Sequence, residues 1–351
     1  GAGAMSRKVI NTSPSFARYS SHPADVLREH GFELCAFPAD ATLDALTPDL
    51  ADAEALIVAF TEVNAELLDR APKLRIVCKH GVGVDNIDLE ETRRRGIWVS
   101  NVPNANKHAV ADFTLAVLLA LARRIPEADA QTKEGQWPRI FATDAWGKTI
   151  GICGLGNIGK QVALRAKGFN MRVLAFDFYP DTAFAEAEGI QFVGKDELLA
   201  QSDFVTLHMP LTDMTKDFIG EAEFRRMKPA AFLVNASRGG VVNEAALVQA
   251  LLAREIAGAA SDVFEQEPLQ AHPLFALDNF IATSHIAGYT DGAINAIGEQ
   301  CVEDIVAALV DTLSWFGLVT GLLLLAAPML GMPAAVATVG KVMAILSALV
   351  I

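Results

Sequence analysis

The stretch from Thr149 to Asp177 constrains this chain more than any other. Residues 149–153 form a short apolar run that reads as a buried parallel strand. The run breaks into Gly154-Leu155-Gly156-Asn157-Ile158-Gly159, enters an amphipathic helix that Gly168 ends, and returns as a second apolar run closing on Asp177. Each glycine has a separate task. Gly154 permits the tight turn, Gly156 lets backbone approach a pyrophosphate, and Gly159 lets the helix lie close on the strand. Backbone N–H groups at the helix start, around Asn157 and Ile158, then face an anion with the helix dipole behind them. Asp177 stands 23 positions after Gly154, where an acid accepts from an adenosine ribose hydroxyl. Glycine-rich turns are common, and the spacing alone says little. With strand before, helix after and acid at this distance, it reads as a dinucleotide site.

At 351 residues the chain has room for about two domains. A net charge of −13 without a basic cluster argues against a nucleic-acid partner. Cys35, Cys78, Cys153 and Cys301 stand apart, with no CxxC and no Cys/His ligand spacing. Reduced core thiols in a cytoplasmic protein are expected from them, and no metal. Residues 1–4, ahead of Met5, read as a cloning remnant rather than a signal peptide.

From residue 7 to about 101, short apolar runs alternate with helical stretches. Runs 8–10, 32–37, 55–59, 74–78 and 97–99 read as strands, and 23–30, 64–70 and 88–95 as helices, the first and last stopped by Gly31 and Gly96. This alternation predicts a parallel sheet covered on both faces, a doubly wound unit with no glycine fingerprint of its own. An apolar helix over about 105–124 follows, too closely punctuated by Asp112 and Arg123-Arg124 for a bilayer, and reads as an interdomain or dimer-interface helix. Residues 126–148 read as a polar arm. Beyond Asp177, strands are expected at 191–193, 204–208, 231–235, 258–262 and 280–283, with Asn243 capping a helix over 244–253.

Arg238, Glu267 and His285 fall at or just after the ends of the late strands, the edge where open α/β sheets bind ligands. Singly, each reads as an ordinary surface or loop residue. Together with the fingerprint they make a set that hydride chemistry on a 2-oxo acid requires. Histidine titrates nearest neutrality and can protonate a carbonyl oxygen. A carboxylate on the far ring nitrogen orients the imidazole and stabilises its protonated form. A guanidinium can hold the substrate carboxylate and polarise the carbonyl by bidentate geometry that lysine cannot copy.

The ordered runs GLGNIG with Asp177, LHMPLT (207–212), NASRGG (235–240), DVFEQEP (262–268) and SHIAG (284–288) resemble the D-2-hydroxyacid dehydrogenase family, phosphoglycerate dehydrogenase-like members included. KHGVGVDNID (79–88) and NVPNANKHAVADF (101–113) match its substrate-domain and crossover signatures, so the resemblance covers roughly residues 7–310. It implies an α/β fold of two doubly wound parallel-sheet domains. A flavodoxin-like substrate domain would span 5–101, completed by about 289–311, and a Rossmann NAD-binding domain 102–288. A homodimer through the latter is implied too. The resemblance makes Arg238, Glu267 and His285 the catalytic triad and places Asp262 at the nicotinamide carboxamide. It also places the Gly81-Val82-Gly83 backbone at the substrate carboxylate, and His208, Pro210 and Thr212 on the cofactor. Formate-specific relatives carry glutamine where this chain has Glu267. The NADP-preferring relatives lack the acid at Asp177, which would repel a 2′-phosphate, so the expected cofactor is NAD.

The chain also departs from the family. Asp112 stands where glutamate is usual. Lys79 and His80 either add positive charge for a phosphorylated substrate or are surface residues. Residues 312–340 carry no charge, which accounts for a mean hydropathy of +0.29. This atypical apolar tail, 312–351, reads either as a membrane anchor or as a stretch joined to a finished enzyme by fusion or frameshift, with an oligomerisation element behind both. The activity implied is interconversion of a 2-hydroxy acid (D-isomer) and its 2-oxo acid, with 3-phosphoglycerate, glyoxylate, hydroxypyruvate and bulkier acids all open. The alternative is an NAD(H)-sensing binding protein of the same fold, as in the family's corepressors.

Overall fold

The structure is a computed structural model that describes residues 7–311, so residues 1–6 and the 312–351 tail lie outside the described residues. In chain order the first elements are β1 (Arg7–Asn11), α1 (His22–Glu29), β2 (Phe32–Ala36), α2 (Leu43–Leu50), β3 (Ala53–Val58), α3 (Ala65–Asp69), β4 (Ile76–Lys79), α4 (Leu89–Arg94) and β5 (Trp98–Ser100). Next come α5 (Lys107–Ala122), α6 (Ile125–Lys133), β6 (Thr149–Cys153), α7 (Asn157–Lys167), β7 (Arg172–Phe176), α8 (Thr182–Glu188), β8 (Gln191–Phe192), α9 (Lys195–Gln201) and β9 (Phe204–Leu207). The chain finishes with α10 (Glu221–Arg226), β10 (Phe232–Asn235), α11 (Glu244–Leu252), β11 (Gly258–Ser261), β12 (Phe280–Ala282) and α12 (Asp291–Val306). Two compact units result, one from 7–106 with 291–311 and the other from 107–290.

The first unit is a five-stranded parallel sheet in the order β2-β1-β3-β4-β5. Residues alternate between its faces along each strand, as the period of two requires. Val9, Ile57, Ile76 and Cys78 meet Leu27 of α1 and Ile297, Cys301 and Ile305 of α12. Their neighbours Ile10, Leu56, Val58 and Val77 meet Leu46 and Leu50 of α2 and Leu67 and Leu68 of α3. Covering both faces is why these strands read as unbroken apolar runs. Each fully buried aliphatic side chain contributes about 1.5–3 kcal/mol of transfer free energy.

The second unit is a seven-stranded parallel sheet in the order β12-β11-β10-β9-β6-β7-β8. Leu115 and Leu118 of α5 and Val162, Ala163 and Ala166 of α7 cover one face, over Ile150, Ile152, Phe204 and Val234. Leu198 and Leu199 of α9, Phe224 of α10 and Leu247 and Leu251 of α11 cover the other. Asp112 of α5 pairs with Arg165 of α7 at 2.6 Å, so the shorter acid still closes an ion pair. Among the described residues no helix is long and apolar enough to cross a membrane.

Two helices escape a reading by hydrophobic period. Residues 126–148 read as an arm, yet α6 occupies the first part of it, beginning with proline in its first turn and Glu127 at the positive end of the dipole. None of its residues is buried, so it has no apolar stripe to read. In α2, Pro48 hides a helix that Thr42 caps by accepting from the Ala45 N–H at 3.3 Å.

Candidate active site

In the second unit the strand order reverses between β6 and β9, and ligands of open α/β sheets bind at such a switch point. Gly154 follows β6 with φ +94°, and a Cβ there would lie 2.6 Å from the His208 carbonyl at the end of β9. A Cβ at Gly159 would lie 2.0 Å from the Gly154 carbonyl, so α7 rests directly against the turn. Gly156, the N-cap of α7, instead borders open space, which places the backbone of Asn157 and Ile158 beside room for an anion. Asp177 follows β7, and its carboxylate accepts from the Leu155 N–H at 2.7 Å and the Tyr179 N–H at 2.9 Å. Each oxygen keeps a further lone pair for a hydroxyl.

His208 carries a second mark of a ligand site. Both its ring nitrogens are buried with no hydrogen-bond partner among the described residues, and burial pulls its pKa down to about 3, leaving a neutral imidazole. A buried polar group left in this state costs about 1–3 kcal/mol, which a polar ligand would relieve. Pro210 and Thr212 form the exposed turn beyond it, tied by Thr215: its Oγ1 accepts from the Thr212 N–H at 2.7 Å and donates to the Pro210 carbonyl at 2.6 Å. The glycine turn, the acid and the orphaned imidazole suit a dinucleotide.

On the other side of the switch point, β10 ends in Asn235. Its side chain accepts from the Ser237 N–H and hydroxyl at 3.1 and 2.8 Å and donates to the Arg238 carbonyl at 2.9 Å, fixing the turn that carries Arg238. Glu267 lies in the loop after β11. One of its oxygens accepts from the Phe264 N–H at 2.9 Å and the other lies 2.7 Å from His285 Nδ1. Burial alone would raise the pKa of Glu267. The His285 bond, the Phe264 N–H and the charges of His285 and Arg238 outweigh it and hold the carboxyl below its ordinary value.

His285 follows β12 with φ +58°, a left-handed backbone that side-chain-bearing residues seldom adopt. Asp262 holds it there. The Asp262 carbonyl accepts from the His285 N–H at 2.8 Å. Its carboxylate accepts from the Thr283 hydroxyl at 2.6 Å and from the Ile286 and Ala287 N–H groups at 2.9 and 2.8 Å. The resemblance sends Asp262 to a carboxamide; in the structure its carboxylate, 2% exposed, also braces the 283–287 turn.

The structure thus gathers Arg238, Glu267, His285, Asp262, the glycine turn, Asp177 and His208 on one edge of one unit. Gly81, Val82 and Gly83 belong to the other unit, after β4. There the Gly81 carbonyl accepts from the Val102 N–H at 2.9 Å and the Val82 carbonyl accepts from Asn101 Nδ2 at 2.6 Å. Neither expectation for His80, beside this turn, holds: the ring is buried rather than on the surface. His80 supplies no positive charge, because its ring is buried against the Ser13 and Ser15 hydroxyls at 3.0 and 3.2 Å, and burial beside Lys79 pulls its pKa to about 4. Lys79 Nζ donates to the Ala59 carbonyl and to Asn86 Oδ1, so it ties two loops together. Sequence reasoning also missed Glu244 and His272, which brace the Glu267 loop; they lie 28 positions apart and only the fold joins them.

Comparison with known proteins agrees with this geometry. Residues 115–287 match the family described as D-isomer specific 2-hydroxyacid dehydrogenase, NAD binding domain. The chain is 44% identical over 298 residues to a glyoxylate reductase of Thermococcus gammatolerans, covering 81% of this chain and 88% of that one. It is 41% identical over 291 residues to a D-3-phosphoglycerate dehydrogenase of Archaeoglobus fulgidus, covering 82% of this chain and 55% of that one. The crystal structure of D-lactate dehydrogenase from Aquifex aeolicus, complexed with NAD and lactic acid, superposes with a TM-score of 0.76 at 28% identity, over 88% of this chain and 97% of that one. A parallel sheet with its glycine turn at the switch point, a histidine–carboxylate pair on the same edge and these likenesses agree: the chain belongs to the D-isomer specific 2-hydroxyacid dehydrogenase family.

Proposed function

We propose that this NAD-dependent 2-hydroxyacid dehydrogenase reduces a small, unphosphorylated 2-oxo acid, with glyoxylate the best candidate. Where C2 becomes a stereocentre, the product is the D isomer. The contact that carries the reading is His285 Nδ1 on Glu267 Oε2 at 2.7 Å, at the ligand-binding edge of the second unit. Gly154, Gly156, Gly159 and the α7 N-terminus would hold the pyrophosphate of NAD, and Asp177 a ribose hydroxyl. His208, Pro210 and Thr212 would line the rest of that site. The bound dinucleotide supplies the hydride in reduction and accepts it in the reverse direction.

The chain's own residues handle the proton and the charge. Glu267, held as a carboxylate, accepts a hydrogen bond from the Nδ1–H of His285 and stabilises the imidazolium. His285 then gives its Nε2 proton to the carbonyl oxygen as the alkoxide develops, and recovers one from water after product leaves. Arg238 binds the substrate carboxylate and draws electron density toward the carbonyl oxygen. We assign further carboxylate contacts to the backbone of Gly81, Val82 and Gly83. Asp262 keeps His285 in its left-handed turn.

The buried His80, kept neutral, offers a phosphate no cation, which favours an unphosphorylated substrate. The glyoxylate reductase likeness favours the same choice. Exposed Ile125, Trp137, Phe141 and Trp146 lie on 125–146 and support a homodimer through the second unit, and four unpaired thiols support the cytoplasm. NADH oxidation with glyoxylate, hydroxypyruvate, pyruvate and 3-phosphohydroxypyruvate tests the reading. Glyoxylate or hydroxypyruvate should exceed the phosphorylated acid by about tenfold or more in kcat/KM, equivalent to ~1.4 kcal/mol. Preference for the phosphorylated acid would overturn the substrate choice, and no turnover at all would leave an NAD(H)-binding signal protein.

A further inference from the structure

A second histidine–glutamate pair lies behind the catalytic one. His272 Nε2 is 3.0 Å from Glu244 Oε2, and both side chains are mostly buried, at 16% and 14% exposure. The tautomer is fixed by the other ring nitrogen. His272 Nδ1 accepts from the Leu274 N–H at 3.2 Å, capping the 3-10 turn Pro273–Ala276, so the ring proton sits on Nε2 and points at Glu244. Glu244 is the first residue of α11, where the helix dipole favours a carboxylate. Its other oxygen accepts from the Glu265 N–H at 2.6 Å.

That N–H belongs to the peptide joining Phe264 to Glu265, and this peptide is the joint of the site. The preceding N–H, of Phe264, is held by Glu267 itself. On its other side the joint presses on Gly239, the neighbour of Arg238: a Cβ there would lie 1.9 Å from the Phe264 carbonyl carbon and 2.3 Å from the Glu265 nitrogen. The Phe264 ring is buried against the rings of Phe275 and His272, at 5.7 and 6.3 Å between centroids. The Phe264–Glu265 peptide therefore packs on the turn carrying Arg238 and adjoins the N–H that Glu267 holds; Glu244 bonds it directly, and His272 holds Glu244.

We propose that Glu244 and His272 are positioning residues for the reaction: they hold the Phe264–Glu265 peptide so that Glu267 stays in register with His285, and Arg238 beside it. This rests on the dehydrogenase reading above and adds two residues to its machinery. Neither needs to touch substrate. Glu244 works as a double acceptor, and one amide oxygen cannot serve both donors as well as a carboxylate does.

The test uses the full chain with NADH and whichever 2-oxo acid the wild type turns over, and the variants His272→Asn, His272→Gln, Glu244→Gln and Glu244→Ala. Asparagine keeps the cap on the Leu274 N–H but cannot reach Glu244, whereas glutamine can still donate to Glu244. His272→Asn and Glu244→Ala should lower kcat about tenfold, ~1.4 kcal/mol, and move the falling alkaline limb of kcat/KM to lower pH as Glu267 loses its hold on His285. The charged groups governing that limb are Glu267, Asp262 under the His285 turn, and Arg238, whose charge reaches Glu267. Glu244→Gln should fall between these and the wild type, His272→Gln should stay near the wild type, and NADH affinity by fluorescence titration should change less than twofold. A lowered kcat with an unmoved limb, or His272→Asn indistinguishable from wild type, would overturn the proposal. If Glu244→Ala does not fold, His272→Asn and Glu244→Gln decide it. Absence of turnover in the wild type would instead count against the dehydrogenase reading itself.

Discussion

Glu267 Oε2 lies 2.7 Å from His285 Nδ1, although the two residues are 18 positions apart and His285 stands on a left-handed backbone. That backbone is held by Asp262, which engages the N–H groups of three consecutive residues, 285–287. The imidazole is thus aimed by its own main chain before Glu267 touches it. His285→Asn leaves a polar residue tolerant of the left-handed region but removes the proposed proton donor. The expected result is a loss of about 10²–10⁴ in kcat with NADH binding retained, measured by steady-state kinetics and fluorescence titration. Activity within tenfold of wild type would remove His285 from the reaction.

We assign the cofactor preference to Asp177. Its carboxylate is anchored on the Leu155 and Tyr179 N–H groups, so the charge is fixed where the ribose is expected. Asp177→Ala should narrow the preference for NADH over NADPH by about tenfold or more, ~1.4 kcal/mol, because a hydrogen bond and a repulsive charge are lost together. The ratio of kcat/KM values for the two cofactors reads this directly. A wild type that already prefers NADPH would contradict the assignment.

Gly159→Ala should act on packing and cofactor together. The added methyl would lie 2.0 Å from the Gly154 carbonyl, so α7 must move off β6. Overpacking of this kind costs about 1–3 kcal/mol, and the displaced helix start would no longer meet the pyrophosphate. Thermal unfolding with and without NADH separates the two effects. The variant should show a lower Tm and a smaller rise on adding NADH, since that rise reports binding to the native state.

His80 gives the fold an acid limit. Burial holds its folded pKa near 4, below the ordinary 6.5, so the unfolded chain binds the extra proton between those values. Stability from this group is fully present above about pH 6.5 and is lost as pH falls toward 4. In Tm measured from pH 7 to 4, His80→Asn should show a shallower decline than wild type, and parallel curves would show that the imidazole takes up its proton equally in both states.

Much of this was legible in the chain. Unbroken apolar runs bounded by glycine reveal parallel strands, and the spacing from Gly154 to Asp177 reveals the cofactor turn, because each rests on local geometry within one βαβ unit. Arg238, Glu267 and His285 could be picked out because strand ends in such a sheet share one edge. What sequence cannot carry is contact between distant loops. The inward turn of the Asp262 carboxylate, the His272–Glu244 pair and the burial of His80 behind Ser13 and Ser15 all depend on tertiary placement. Likewise α6 was missed because it buries nothing, and a period-based reading sees only helices with a core-facing stripe.

The central claim is that Glu267, 2.7 Å from Nδ1, supports His285 as the proton donor, and the pH dependence of kcat/KM for 2-oxo acid reduction tests it most directly in wild type and Glu267→Gln. Reduction requires the imidazolium, so kcat/KM should fall as pH rises. Glutamine retains the shape and removes the charge, so the falling limb should move to lower pH, while Arg238→Lys should lower kcat/KM throughout and leave the limb in place. A limb at the same pH in wild type and Glu267→Gln would contradict the account.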